Sequence, residues 1–374
     1  MTGRLQQAWA LLAVPLIAIV MSVVVGSIVI IASEWLVTGG LSPGLAVDAF
    51  SALVVGAVGN PRVIVNTLVT TMPLLLGGLS VGLAFKGGLF NIGAQGQFLM
   101  GVLGSVIVGV QLREAPALVA IPAALAAGML FGLVWGFIPG FLKATSGAHE
   151  VVTTIMLNFV AAYVLAAAVN GPLNAGGTSP ITADVGNAAL PIIVGRNGSI
   201  ALIYAPLMVL AYGFLLFRTT RGFEIRVAGS SPDAARYAGM SPRRLIIWTM
   251  SVAGLLAGLA GATDLLGNNA AHQTASTYGT TVGFDAIAIA LLGRTSPLGI
   301  LLSALLFGAL RTGSAQMQIS AGVPAELVGI LQATILFFVV VSPVIVRRFG
   351  IGGAKSGLEE SATITGTYGS EAVR

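Results

Sequence analysis

Leu89–Gly101 reads LFNIGAQGQFLMG, and it places three carboxamides, Asn91, Gln95 and Gln97, in a run with no charged residue from Gly87 to Leu112. What those side chains do depends on the solvent around the run. The surrounding chain answers that: its 374 residues are 56% hydrophobic and 8% charged, and its mean hydropathy is +0.95. Soluble domains carry about 25% charged residues, and they need them on the surface to stay in solution. A deficit this large marks an all-α polytopic membrane protein.

A membrane-crossing helix needs about 20 apolar residues. Residues 10–32, 63–85, 89–110, 117–142, 151–169, 199–217, 245–263 and 327–346 meet that length. Two shorter runs, 284–293 and 297–310, flank Arg294 and read as a hairpin of short or broken helices. Together they make about ten crossing elements, a transmembrane domain over 1–349, and a Gly/Ser/Thr-rich tail at 350–374 whose composition predicts disorder. The first apolar stretch is longer than a typical signal-peptide core and no small-residue cleavage pattern follows it, so an uncleaved first span is expected.

Short loops rich in Lys and Arg stay on the cytoplasmic side. The loop Arg218–Arg244 carries Arg218, Arg221, Arg226, Arg236, Arg243 and Arg244, and alternation outward from it also places Arg4, Lys86, Lys143, Arg294, Arg347, Arg348, Lys355 and Arg374 inside. Arg62, Arg113, Arg196 and Arg311 then fall on or near the outer side, and both termini are expected in the cytoplasm. Ten spans divide into five and five, and an odd number per half would invert the second half. On that division 89–110 pairs with 284–293, both glycine-interrupted and polar near one end; such segments in corresponding positions point to a transport path.

Several chemistries are excluded. There is no phosphate-binding G-x-x-x-x-G-K-[ST] loop, no H-E-x-x-H and no G-x-S-x-G elbow. Cysteine is absent, and the two histidines, His149 and His272, stand far apart, so no metal site is expected. Asp264, Asp285 and Glu326 lie near expected span ends, and the interior otherwise lacks the acid and base groups that ion-coupled carriers use. An energy source on another chain is therefore expected.

The loop Arg218–Arg244 reads RTTRGFEIRVAGSSPDAARYAGMSPRR. Ser231 is placed as an N-cap with Pro232 at the first helical position. Asp233 suits the positive end of the helix dipole, Ala234, Ala235, Arg236 and Tyr237 continue the helix, and Gly239 is placed to end it. A charged topogenic loop with incidental helicity would also fit.

DAARYAG, Asp233–Gly239, resembles the E-A-A-x-x-x-G element of permeases in ATP-binding-cassette (ABC) transporters, with Asp in place of Glu. Three further stretches are similar to the nucleoside-type permeases of bacterial ABC importers, which are related to ribose and branched-chain amino acid permeases. They are GLAFKGGLFNIGAQGQFLMG (Gly82–Gly101), GAHEVVTTIMLNFVA (Gly147–Ala161) and GFDAIAIALLGRTSPLGILLSALLFGAL (Gly283–Leu310). With the loop, the similarity runs from about Val63 to Val346. It implies a multi-pass subunit of the bacterial cytoplasmic membrane, with Ser231 and Asp233–Gly239 forming a coupling helix seated on an ATPase subunit. It further implies a second permease chain, a solute-binding protein outside, ATP and Mg held by the ATPase, no cofactor on this chain and no nucleic-acid partner. An ABC permease for a pentose or a branched-chain amino acid, and an ion-coupled transporter working alone, are the alternatives. Gln95 departs from the pattern, standing where many relatives are expected to carry an acid.

A carboxamide facing lipid is costly, so the polar side chains should face protein or water. Phe90, Asn91, Gln95, Gln97, Asn158, Phe284 and Asp285 are candidate path residues, the carboxamides for hydrogen bonding and the two rings for apolar or stacking contact with a flat base. Bonding across helices as packing is the other role open to each carboxamide. At the cytoplasmic entrance of its helix, His149-Glu150 suits capping or docking better than catalysis.

Overall fold

A computed structural model describes the backbone at residues 2–38, 40, 43–177, 179–269 and 271–349. The tail at 350–374, with Lys355 and Arg374, and the side chains of Arg4, Arg347 and Arg348 lie outside the described residues. Helices run as α1 Thr2–Thr38, α2 Pro43–Val58, α3 Pro61–Lys86, α4 Ala94–Gln111, α5 Ala117–Ser146, α6 Glu150–Asn170 and α7 Ala201–Arg218. They continue as α8 Thr220–Ser230, α9 Pro232–Tyr237, α10 Pro242–Thr263, α11 Val282–Leu292, α12 Pro297–Ala321 and α13 Leu327–Phe349. Between α6 and α7 stands a small antiparallel ribbon of β1 (Ile192–Val194) and β2 (Gly198–Ser199), pairing Ile192 with Ser199.

Among the described residues, eight helices are long and apolar enough to cross a membrane, and three shorter apolar ones cover Gly44–Val58, Val282–Leu292 and Leu327–Val339. The expected spans match these helices with shifted ends, except at three places. The first is α2, whose 16 residues fall short of a full crossing and which carries Asp48, so no span was expected there. Helix α2 adds an element between the first and second expected spans without making a full-length one. The second is α4, which starts at Ala94 because Gly87–Gly93 forms a non-helical turn. The third is α12, a 25-residue helix and not a short half of a hairpin. Arg311 is therefore inside this helix, with 14 residues before it and 10 after.

The chain divides into two compact units, residues 57–312 and residues 1–56 with 313–374. In the second, α1 packs along α13, and Ser22 Oγ donates to the Leu331 carbonyl at 2.8 Å. In the first, α3 is buried from Thr67 to Phe85 with few breaks and forms its axis. Asn60 caps α3, its side chain accepting from Val63 N–H at 3.0 Å with Pro61 at the first helical position.

Around α3, helix α10 packs on α5 and α4 through glycines that let backbones touch. Any side chain at Gly132 would strike the Gly254 and Gly258 backbones, and one at Gly101 would strike Gly258. In a bilayer, where apolar area alone gives no preference for helix over lipid, close packing of small residues is what drives such association.

Two breaks in regular helix position the site. Helix α10 ends in one π-turn, Asp264–Asn268, and α11 starts only at Val282. Its 11 residues reach about 16 Å, half of a roughly 30 Å hydrocarbon layer. Between the π-turn and α11 the described chain is largely irregular and bonds to the loop after α6, Thr182 N–H donating to the Thr274 carbonyl at 3.0 Å and Ser276 N–H to the Pro180 carbonyl at 3.1 Å. Irregular backbone at membrane depth is tolerated only where it is buried in protein or lines water.

Candidate functional site

The turn before α4 is fixed from outside. Gly88 has φ +69 and lies so close to the Gly229 backbone, at the end of α8, that no side chain fits there. Leu89 is buried against Ala84, Met250 and Ala253. Beyond it the carboxamides divide by role. Asn91 and Gln97 are fully buried and bond each other twice, Asn91 Nδ2 donating to Gln97 Oε1 at 2.9 Å and Gln97 Nε2 to Asn91 Oδ1 at 3.3 Å. Asn158 on α6 accepts from Gly96 N–H at 2.7 Å and donates to the Ile92 carbonyl at 3.0 Å, tying α6 to the bend. These three side chains bond within the bend and between it and α6. Phe90 is half-buried in a different cluster, with Val81, Phe85, Ala94 and Ala286, its ring 5.1 Å from Phe85.

Gln95 reaches the other broken segment. Its Nε2 donates to the Thr280 carbonyl at 2.8 Å and its Oε1 accepts from Gly283 N–H at 2.8 Å. One side chain on α4 thus holds the irregular strand and the first turn of α11. The two segments that the five-and-five division pairs are in direct contact.

On α11, Phe284 is exposed, and Asp285 accepts from Thr281 Oγ1 at 3.1 Å and faces Arg311 Nη1 at 3.7 Å. Arg311 also donates to Thr280 Oγ1 at 3.3 Å. Behind them Asp264, in the π-turn, accepts from Tyr278 Oη at 2.8 Å and from Asn268 Nδ2 at 2.9 Å, and the Tyr278 ring lies 6.3 Å from that of Phe98. Asp264 and Asp285 were read as span-end groups. They do stand at helix ends, Asp264 where α10 gives way to the π-turn and Asp285 in the first turn of α11. Tyr278 and Arg311 were missed as site residues. The available signal was the polar, uncharged run 273–281 between two apolar helices.

In the basic loop, α8 is a helix that the sequence reading did not place, capped by Thr219 Oγ1 accepting from Gly222 N–H at 3.0 Å. In α9, Ser231 Oγ accepts from Ala234 N–H at 3.2 Å, and Arg236 pairs with Asp233 at 3.4 Å. Ala235 is buried, Tyr237 is 94% exposed, and Gly239 has φ +77 just beyond the helix. At the start of α6, Glu150 is buried in the first turn and pairs with Lys143, while the His149 side chain makes no capping bond.

Long apolar helices, an irregular polar strand held inside them and an exposed basic-loop helix define a polytopic membrane transport protein. Residues 63–340 match the family described as branched-chain amino acid transport system / permease component, and the chain belongs to that family. The chain is similar to the guanosine ABC transporter permease protein NupP of Bacillus subtilis, 37% identical over 92% of this chain and 97% of the relative. It is 38% identical to the nucleoside ABC transporter permease protein NupB of Lactococcus lactis, over 89% of this chain and 91% of the relative. It is 32% identical to the glucose ABC transporter permease protein TsgB13 of Haloferax volcanii, over 97% and 96%. No solved structure matches the chain.

Proposed function

We propose that this chain is the membrane permease of an ABC importer that carries nucleosides, driven by ATP hydrolysis on a separate subunit. The observation that carries the reading is the near full-length likeness to permeases named for guanosine and nucleosides. The candidate residues are compatible with it: the hydroxyl, carboxylate and guanidinium groups of Thr281, Asp285 and Arg311 suit a polar sugar, and the exposed Phe284 ring suits a planar base. Sugar import is the second reading, favoured by the likeness to the glucose permease.

In this reading an extracytoplasmic binding protein delivers the solute, and a second permease chain, different from this one, completes the path. An ATP-binding-cassette subunit, holding ATP and Mg, seats the α9 region, with Asp233, Arg236 and Tyr237 outward. No cofactor sits on this chain and no nucleic acid takes part. Motion at α9 passes through α8, whose Gly229 abuts the Gly88 turn, to the bend that carries Gln95. The permease domain covers 1–349 in the bacterial cytoplasmic membrane, with a cytoplasmic tail at 350–374. Both termini are cytoplasmic, because α2, about 24 Å long, does not cross.

Uptake of tritiated guanosine is the test, in cells that carry this chain with its genomic neighbours and in cells lacking only this chain. Uptake that depends on the chain, and that unlabelled adenosine competes but leucine and glucose do not, supports the reading. Competition by glucose alone supports sugar import, and competition by leucine alone overturns both.

A further inference from the structure

We propose that an anionic phospholipid seats at the corner between α7 and α8, its phosphate on the Arg226 guanidinium and its acyl chains along the exposed side of α7. Such a site serves the chain whichever solute it carries. Helix α7 has two sides. Ala201, Ala205, Val209, Tyr212 and Leu216 are buried, and the helix packs on α3. Ile203, Leu207, Leu210, Phe214 and Phe217 recur at the same helical spacing and are all exposed. From Ile203 to Phe217 this stripe runs about 21 Å, most of a roughly 30 Å hydrocarbon layer. A face so long and apolar suits lipid tails, and no protein outside the bilayer can reach along it.

Arg226 stands at the end of the stripe. Its guanidinium carbon lies 5.0 Å from the centre of the Phe217 ring, so the last ring of the apolar side carries a cation. Phe223, three positions before Arg226 and on the same side of α8, is exposed as well. An arginine laid over an apolar ring joins the level of the tails to that of the headgroups. Among the described residues nothing accepts a hydrogen bond from Arg226, and its Nε is buried without a partner. Unpaired donors away from bulk water are costly. The planar guanidinium fork fits two oxygens of one phosphate.

The surrounding charge selects the kind of headgroup. The loop Arg218–Arg244 holds six arginines against two carboxylates. Both carboxylates are taken, Glu224 by Arg221 at 3.0 Å and Asp233 by Arg236 at 3.4 Å. The excess of positive charge repels the ammonium of a zwitterionic headgroup and favours one that has no cation of its own.

The test titrates the purified full chain in detergent with dioleoylphosphatidylglycerol and dioleoylphosphatidylcholine, which share their tails, and measures bound lipid by native mass spectrometry. The wild-type chain should bind phosphatidylglycerol about tenfold more tightly than phosphatidylcholine. Arg226→Gln should remove most of that preference and leave phosphatidylcholine binding within about twofold. Arg226→Lys, which keeps the charge without the fork, should fall between. Arg236→Gln, which removes one charge elsewhere in the loop, should keep the wild-type preference. An unchanged preference in Arg226→Gln overturns the site, as does its loss in Arg236→Gln, which marks a general effect of charge. Displacement of the lipid by inorganic phosphate marks a site for a free anion and overturns it too. In membranes of cells expressing the chain, Phe214→p-benzoylphenylalanine should cross-link to phospholipid on irradiation. Cross-linking to a second copy of this chain, or to another protein, in place of lipid gives the face to protein and overturns the proposal.

Discussion

Gln95 Oε1 accepts from the backbone N–H of Gly283 at 2.8 Å, across 188 positions of sequence. The amide at the other end of the same side chain donates to the Thr280 carbonyl, so Gln95 serves as donor and acceptor at once. That explains why a neutral residue stands where the resemblance leads one to expect an acid. A carboxylate keeps the bond to Gly283 but turns a second oxygen toward the Thr280 carbonyl.

Gln95→Glu should therefore cost about 1–3 kcal/mol, the penalty of a buried polar group left unsatisfied. The readout is the thermal midpoint of the purified chain in detergent, which should fall, together with reduced uptake. A midpoint and an uptake equal to wild type would show that the clamp contributes little.

Asn91 and Gln97 satisfy each other, so their substitutions should be strongly non-additive. Asn91→Leu or Gln97→Leu alone strands a buried amide and should cost about 1–3 kcal/mol. The double variant should recover part of that loss. Thermal midpoints for the four species provide the cycle, and simple addition would argue against the pairing.

Helix α10 approaches α5 by backbone contact at Gly254 and Gly258. Gly258→Val should abolish accumulation of folded chain in the membrane, since the obstructing atoms are backbone and cannot swing away. Gly329→Ala is the control: nothing lies within 4 Å of the added carbon. That variant should match wild type or be stabilised by up to about 1 kcal/mol.

Tyr237 is 94% exposed and supports no core. Tyr237→Ala should leave the thermal midpoint unchanged while uptake falls and ATP hydrolysis by the assembled importer no longer tracks transport. Full wild-type coupling in this variant, and in Asp233→Ala and Gly239→Val, would remove the basis for assigning α9 to the ATPase.

The helices were legible because membrane spans are written in long apolar runs that need no partner to be seen. The α9 cap was legible for a similar reason: Ser231-Pro232 fixes a helix start locally. What sequence could not show is determined by tertiary contacts. Arg311 reads as a loop residue when α12 is stopped at Leu310, and only the tertiary structure reveals its pairing with Asp285. Asn91, Gln95, Gln97 and Asn158 look equivalent in a linear text, yet three close on nearby backbone or on each other and one bridges to α11. Helix α2 was missed because 16 residues and an aspartate do not make a span.

The central claim is that this chain imports nucleosides only with an ATPase partner. The direct measurement is guanosine accumulation in proteoliposomes holding the purified complex, with ATP and Mg enclosed on the ATPase side and the binding protein outside. Accumulation that requires ATP hydrolysis, and that persists when proton and sodium gradients are collapsed, is the predicted result. Accumulation by this chain alone, driven by either gradient without ATP, would contradict the account.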